Sequence, residues 1–87
     1  MEIALIGDRY AVHGFRLAGI RRTFLLDEVR RGDRRALLRE LFGGEVALML
    51  ITERGAEELG EELEEAVRFK KGIMPILVEI PDSGGWP

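Results

Sequence analysis

Val46-Ala47-Leu48-Met49-Leu50-Ile51 runs directly into Thr52-Glu53-Arg54-Gly55-Ala56, and this junction decides the fold. Six apolar residues in a row make a strand that has no polar face to offer water, which is the pattern of a central parallel strand covered on both sides. The segment after it has helical spacing: Ala56, Leu59, Leu63, Ala66 and Val67 form one apolar stripe. Glutamates crowd its first half, and Arg68, Lys70 and Lys71 its end, which suits the helix dipole. Gly72 is the expected stop.

Working outward, the same strand-then-helix unit recurs. Glu2-Ile3-Ala4-Leu5-Ile6 closes at Gly7-Asp8 and reads as a buried first strand. A short helix from about Arg9 to Ala18 follows, with Val12 and Phe15 inward and Gly19 as its C-terminal cap in the positive-φ conformation. Gly14 is read as allowing close approach of this helix. Thr23-Phe24-Leu25-Leu26 is a brief outer strand, and an Arg- and Gly-containing loop leads to Asp33, an N-cap for a helix carrying Leu37, Leu38, Leu41 and Phe42. Pro75 to Ile80 is the fourth strand.

The order βαβαβαβ predicts an α/β fold: a three-layer Rossmann-like (flavodoxin- or receiver-like) domain with a four-stranded parallel sheet in order 2-1-3-4 and helices on both faces. Residues 1–81 make one α/β domain and residues 82–87 a short polar tail containing Trp86. At 87 residues there is no room for a second core.

Composition narrows the function classes. The chain is 46% hydrophobic and 33% charged, which supplies both an interior and a solvated surface. It has no cysteine, so disulfides, thiolate metal sites and thiol catalysis are excluded. No apolar run approaches the roughly 20 residues that span a bilayer, and the N-terminus has no secretory pattern, so a cytoplasmic location without direct membrane insertion is expected. Net charge is −3 but unevenly spread: Arg21 to Arg39 is basic and Glu53 to Glu65 acidic. The basic stretch lacks interleaved aromatics, which argues against nucleic acid. Asn and Gln are absent while Arg and Glu abound, a balance seen in heat-adapted proteins.

Ligands of open α/β sheets bind at the carboxyl ends of the strands, which here hold Gly7, Asp8, Asp27, Thr52 and Glu53. Gly7-Asp8 before a helix could hold a phosphate, which keeps a small phosphate- or nucleotide-responsive regulatory α/β domain as the alternative function. Yet neither GxGxxG nor GxxxxGK[ST] is present, and a turn with a capping aspartate is the expected role of the pair. Asp8, Asp27 and Glu53 could gather around magnesium, but the third strand ends in Thr52-Glu53 where a phosphoacceptor aspartate would stand. His13 is the only histidine and has no Ser or Cys beside it for a triad. No cofactor and no catalytic group is expected.

Ala4-Leu5-Ile6-Gly7-Asp8, then Gly14-Phe15-Arg16-Leu17-Ala18-Gly19-Ile20, then Leu50-Ile51-Thr52-Glu53, and finally Pro75-Ile76-Leu77-Val78-Glu79-Ile80-Pro81 together resemble the F subunit of the archaeal/vacuolar-type rotary ATPases. The resemblance spans nearly the whole chain, and the Gly14–Ile20 block is its most specific part. It implies a non-catalytic component of the central stalk that binds the coiled-coil D subunit and supports coupling of ATP turnover to ion transport. It also implies that the A and B subunits of the catalytic head are met only indirectly or through a further C-terminal helical segment. Within the 87 residues ending at Gly84-Gly85-Trp86-Pro87 no counterpart of that segment is expected, whether this end is a short natural form or a truncation.

Phe15, Arg16, Leu77 and Glu79 are the expected partner-binding residues, with Arg16 open between a partner contact and an internal salt bridge. Topology adds a second expectation. In order 2-1-3-4 one helix guards one sheet face and two guard the other, yet strands 3 and 4 are apolar on both alternating sets. The first-helix side of those two strands should therefore present a bare apolar patch beside Phe15.

Overall fold

The computed structural model describes residues 2–82. Nine elements follow in order: β1 (Glu2–Gly7), α1 (Arg9–Leu17), β2 (Arg22–Leu25), α2 (Leu26–Arg31), α3 (Arg34–Gly43), β3 (Val46–Thr52), α4 (Glu53–Glu58), α5 (Gly60–Phe69) and β4 (Ile76–Ile80). The four strands form one parallel sheet in order β2-β1-β3-β4, as the alternation of elements predicts. Most of the polar tail, Trp86 included, lies outside the described residues.

Strand alternation divides the sheet into two faces. Ala4, Ile6, Met49 and Ile51 point to one side and pack with Leu26, Val29, Leu38, Leu41, Phe42, Leu59 and Leu63 from α2, α3 and the α4–α5 region. Leu5 points to the other and packs under Ala11 and Val12 of α1. One helix therefore lies on one face and the rest on the opposite one, as right-handed crossovers on this strand order require. β1 and β3 fill the middle of the sheet, and β2 and β4 are the edges.

α1 and α3 begin where the sequence places caps. The Asp8 carboxylate accepts from the Ala11 N–H at 2.9 Å and Asp33 from Ala36 N–H at 3.0 Å. At the other end of α1, Gly19 has φ 99°, the Gly19 N–H donates to Arg16 O at 3.0 Å and the Ile20 N–H donates to Phe15 O at 3.0 Å. This is a Schellman closure, in which a residue without Cβ adopts the left-handed turn and frees the chain to enter β2.

Four local features depart from the sequence pattern. The stretch after β2 is not a loop: Leu26–Arg31 forms α2, driven by burial of Leu26 and Val29 one turn apart. The helix after β3 is two helices, interrupted at Leu59, whose φ −102° and ψ 16° end α4 before α5 starts at Gly60. Val67 lies 42% exposed instead of in the buried stripe, because α5 ends beside the open edge strand. α5 stops at Phe69, with Gly72 (φ 81°) in the turn that follows.

Candidate docking face

α1 packs mainly over β1 and β2. On its side of the sheet β3 contributes Leu48 and Leu50, half-buried, and β4 contributes Ile76, Val78 and Ile80, which sit in register with Leu48, Leu50 and Thr52. Ile76 is 54% exposed and Val78 39%. Phe15 and Ile80 close the inner border, packed on the Leu5, Ala11 and Val12 cluster. The result is a shelf two strands wide, about 10 Å from strand spacing, which is the width of one helix. The expected bare patch on the first-helix side is present.

The four residues read as partner contacts do not share that surface. Phe15 borders the shelf. Arg16 forms no salt bridge among the described residues: its Nε donates to Thr23 Oγ1 of β2 at 3.0 Å, a hydrogen bond to a neutral acceptor. Leu77 and Glu79 stand in register with Met49 and Ile51, so alternation turns them to the α5 side. Leu77 there lines a shallow apolar groove with Leu63 and Val67. The residues that do build the shelf, Leu48, Leu50, Ile76 and Val78, were visible as apolar alternates. Which alternate set faces α1 is settled only by the pairing register.

Of the positions at the carboxyl ends of the strands, Gly7, Asp8 and Thr52 serve the backbone. Gly7 sits where Thr52 and Ala11 leave no space for a side chain. The Thr52 hydroxyl, buried, accepts from the Gly55 N–H at 3.2 Å and caps α4, and Asp82 accepts from the Arg54 N–H at 3.1 Å. Glu53 is exposed in the first turn of α4, and Asp27 pairs with Arg30 at 2.7 Å. Asp8, Asp27 and Glu53 do not gather, and among the described residues no group of three acidic or histidine side chains could hold a metal ion. His13 is exposed on α1. The close approach expected at Gly14 is absent: a Cβ there would meet nothing within 4 Å.

The basic and acidic stretches face each other. Arg30 binds Glu58 with Nη2–Oε2 at 2.7 Å, Arg34 lies 3.8 Å from Glu62, and Arg35 binds Glu65 at 2.9 Å. These pairs join the α2–α3 and α4–α5 surfaces, so the uneven charge along the chain is partly cancelled in space. The Arg30 guanidinium is held above its ordinary pKa by its hydrogen bond to Glu58, and that of Arg35 by its bond to Glu65.

The architecture defines the class: a small Rossmann-like α/β domain on a four-stranded parallel sheet, with one face of the sheet half covered. Residues 3–86 match the family described as ATP synthase (F/14-kDa) subunit, and the chain belongs to that family. It is similar to the F subunit of the A-type ATP synthase of Pyrococcus furiosus, with 41% identity over 98% of this chain and 79% of the relative. The corresponding protein of Methanocaldococcus jannaschii is 36% identical over 98% and 79%, and that of Methanothermobacter thermautotrophicus 32% identical over 97% and 76%. No helix among the described residues is long and apolar enough to cross a membrane.

Proposed function

We propose that this chain is a non-catalytic component of the central stalk of an A/V-type rotary ATPase, located on the cytoplasmic side of the membrane, and that it docks on the coiled-coil D subunit. Its contribution is to transmit torque between ATP turnover in the A and B subunits and ion transport, while nucleotide is handled elsewhere. The observation that carries the reading is the uncovered shelf of Leu48, Leu50, Ile76 and Val78 beside α1. Its one-helix width fits a helix of a coiled coil, and burial of an exposed Ile or Val side chain contributes on the order of 1.5–3 kcal/mol.

Co-expression with the coiled-coil stalk protein followed by size-exclusion chromatography tests the proposal. A stoichiometric complex is expected, and separate elution at micromolar concentration would count against it. Calorimetry with ATP, ADP and acetyl phosphate is expected to give no saturable heat, because Asp8 and Thr52 at the strand ends already cap helices.

A further inference from the structure

A second surface lies on the opposite sheet face. Between the C-terminal ends of α3 and α5 is a groove of about 580 Å³. Its floor is apolar, built from Leu38, Phe42 and Ala66, and it opens past Phe69 and Met74, which are 76% and 50% exposed. Ile73, in the turn after α5, adds a further apolar side chain at 78% exposure. Exposed large apolar side chains grouped in this way mark an interaction site.

The rim decides what kind of occupant fits. Arg35, Arg39, Lys70 and Lys71 surround the groove, against Glu62 and Glu65. Both carboxylates are engaged, Glu62 with Arg34 and Glu65 with Arg35. The Lys70 ammonium donates to the carbonyls of Ile73 at 2.9 Å and Pro75 at 3.0 Å, which fixes the turn. Arg39 and Lys71 have no hydrogen-bond or ion-pair partner among the described residues. A domain of net charge −3 thus holds two unspent cations beside an apolar floor.

We infer that this groove docks an acidic amphipathic helix of a second protein partner, separate from the one on the β3–β4 shelf. Apolar residues at helical spacing enter between Phe42 and Phe69, and flanking carboxylates meet Arg39 and Lys71. Charge complementarity selects an anionic occupant. The extent of the exposed apolar surface selects a polypeptide: a small anionic amphiphile in the groove would leave Phe69 and Ile73 in water.

The test uses the full chain and a fluorescein-labelled 16-residue helical peptide with Leu at i, i+3, i+4 and i+7 and Glu on its flanks. Anisotropy is expected to show saturable binding, with amide shifts in ¹⁵N spectra concentrated at residues 66–74. Arg39→Glu/Lys71→Glu should weaken it about tenfold or more, and Phe69→Ala comparably. The ¹⁵N spectrum reports whether each variant is folded; Lys71→Glu alone, at an exposed position, serves if the double variant is not. Absent saturable binding, equal binding of a peptide with Lys in place of Glu, or indifference to the folded variants would overturn the proposal. So would sodium decanoate binding at these residues and displacing the peptide. The double variant should still co-elute with the coiled-coil stalk protein; loss of that complex would make the groove part of the first interface and overturn the assignment of a separate partner.

Discussion

A β carbon placed on Gly7 would stand 2.8 Å from Cγ2 of Thr52 and 3.2 Å from Cβ of Ala11. The end of β1, the end of β3 and the first turn of α1 converge there, and the absence of one methyl group lets them meet. Real Cβ contacts do not reach that distance, so something must shift when one is added.

Gly7→Ala is therefore expected to destabilise the domain by about 1–3 kcal/mol, the range for overpacking a tight core. Thr52→Ser removes the opposing methyl and keeps the hydroxyl that caps α4. In a double-mutant cycle read by urea unfolding, Gly7→Ala/Thr52→Ser should be less destabilised than the sum of the single changes. Strict additivity would show that the contact does not explain the glycine.

Gly14 and Gly19 should respond in opposite directions. Gly14 lies within α1 with open space around it, so Gly14→Ala is expected to stabilise by about 0.5–1 kcal/mol through helix propensity. Gly19 also has space, but its φ of 99° strains any side chain, and Gly19→Ala should cost about 1 kcal/mol. Melting temperatures of the two variants check both signs. A loss on Gly14→Ala would mean that α1 depends on something other than its own propensity.

The ion-pair ladder between Arg30, Arg34 and Arg35 and Glu58, Glu62 and Glu65 lies at the surface, so its weight should be small and salt-dependent. Arg30→Glu is expected to lower the melting temperature slightly at low salt and less at 1 M salt. Arg30→Glu/Glu58→Arg should recover most of the loss. The raised guanidinium pKa of Arg30 means the pair is complete below the unfolded-state value and is lost only as pH rises through the higher folded value. Its contribution should not vary across neutral pH, which thermal melts between pH 6 and 9 would check.

The sequence was most legible where a residue's neighbours in the chain determine its state. Asp8, Asp33 and Gly19 act within one helical turn, and all three were readable as caps. The apolar run from Val46 placed β3 at the centre of the sheet without any knowledge of its partners. α2 was not legible, because Leu25-Leu26 favours a strand locally and only burial of Leu26 and Val29 against distant residues turns the chain into a helix. The charge pattern was visible as two runs, but that they pair across space is a property of packing. The candidate site divides the same way. That β3 and β4 carry apolar residues on both faces follows from alternation alone. That Ile76 and Val78, and not Leu77 and Glu79, share the α1 side depends on the register with Leu48 and Leu50.

That register sets the last prediction. Ile76→Lys and Val78→Lys change exposed side chains on the shelf, so each should leave the fold close to intact: circular dichroism unchanged and the stability loss at most about 1 kcal/mol. A lysine in the middle of a desolvated helix contact is costly, and each variant should weaken binding to the coiled-coil stalk protein by about tenfold or more, with the double variant failing to co-elute. Glu79→Lys and Arg16→Ala provide the contrast. Glu79 is on the other face of the same strand, and Arg16 is committed to Thr23 of β2, so both variants should bind as the parent does. The comparison between Val78 and Glu79 is the sharpest, since the two are adjacent in sequence and both are exposed. Equal loss at both would place the contact on the β4 edge as a whole, and loss at Glu79 alone would move it to the α5 side beside Leu77. Only selective loss at Ile76 and Val78 supports docking of the coiled coil on the shelf beside α1.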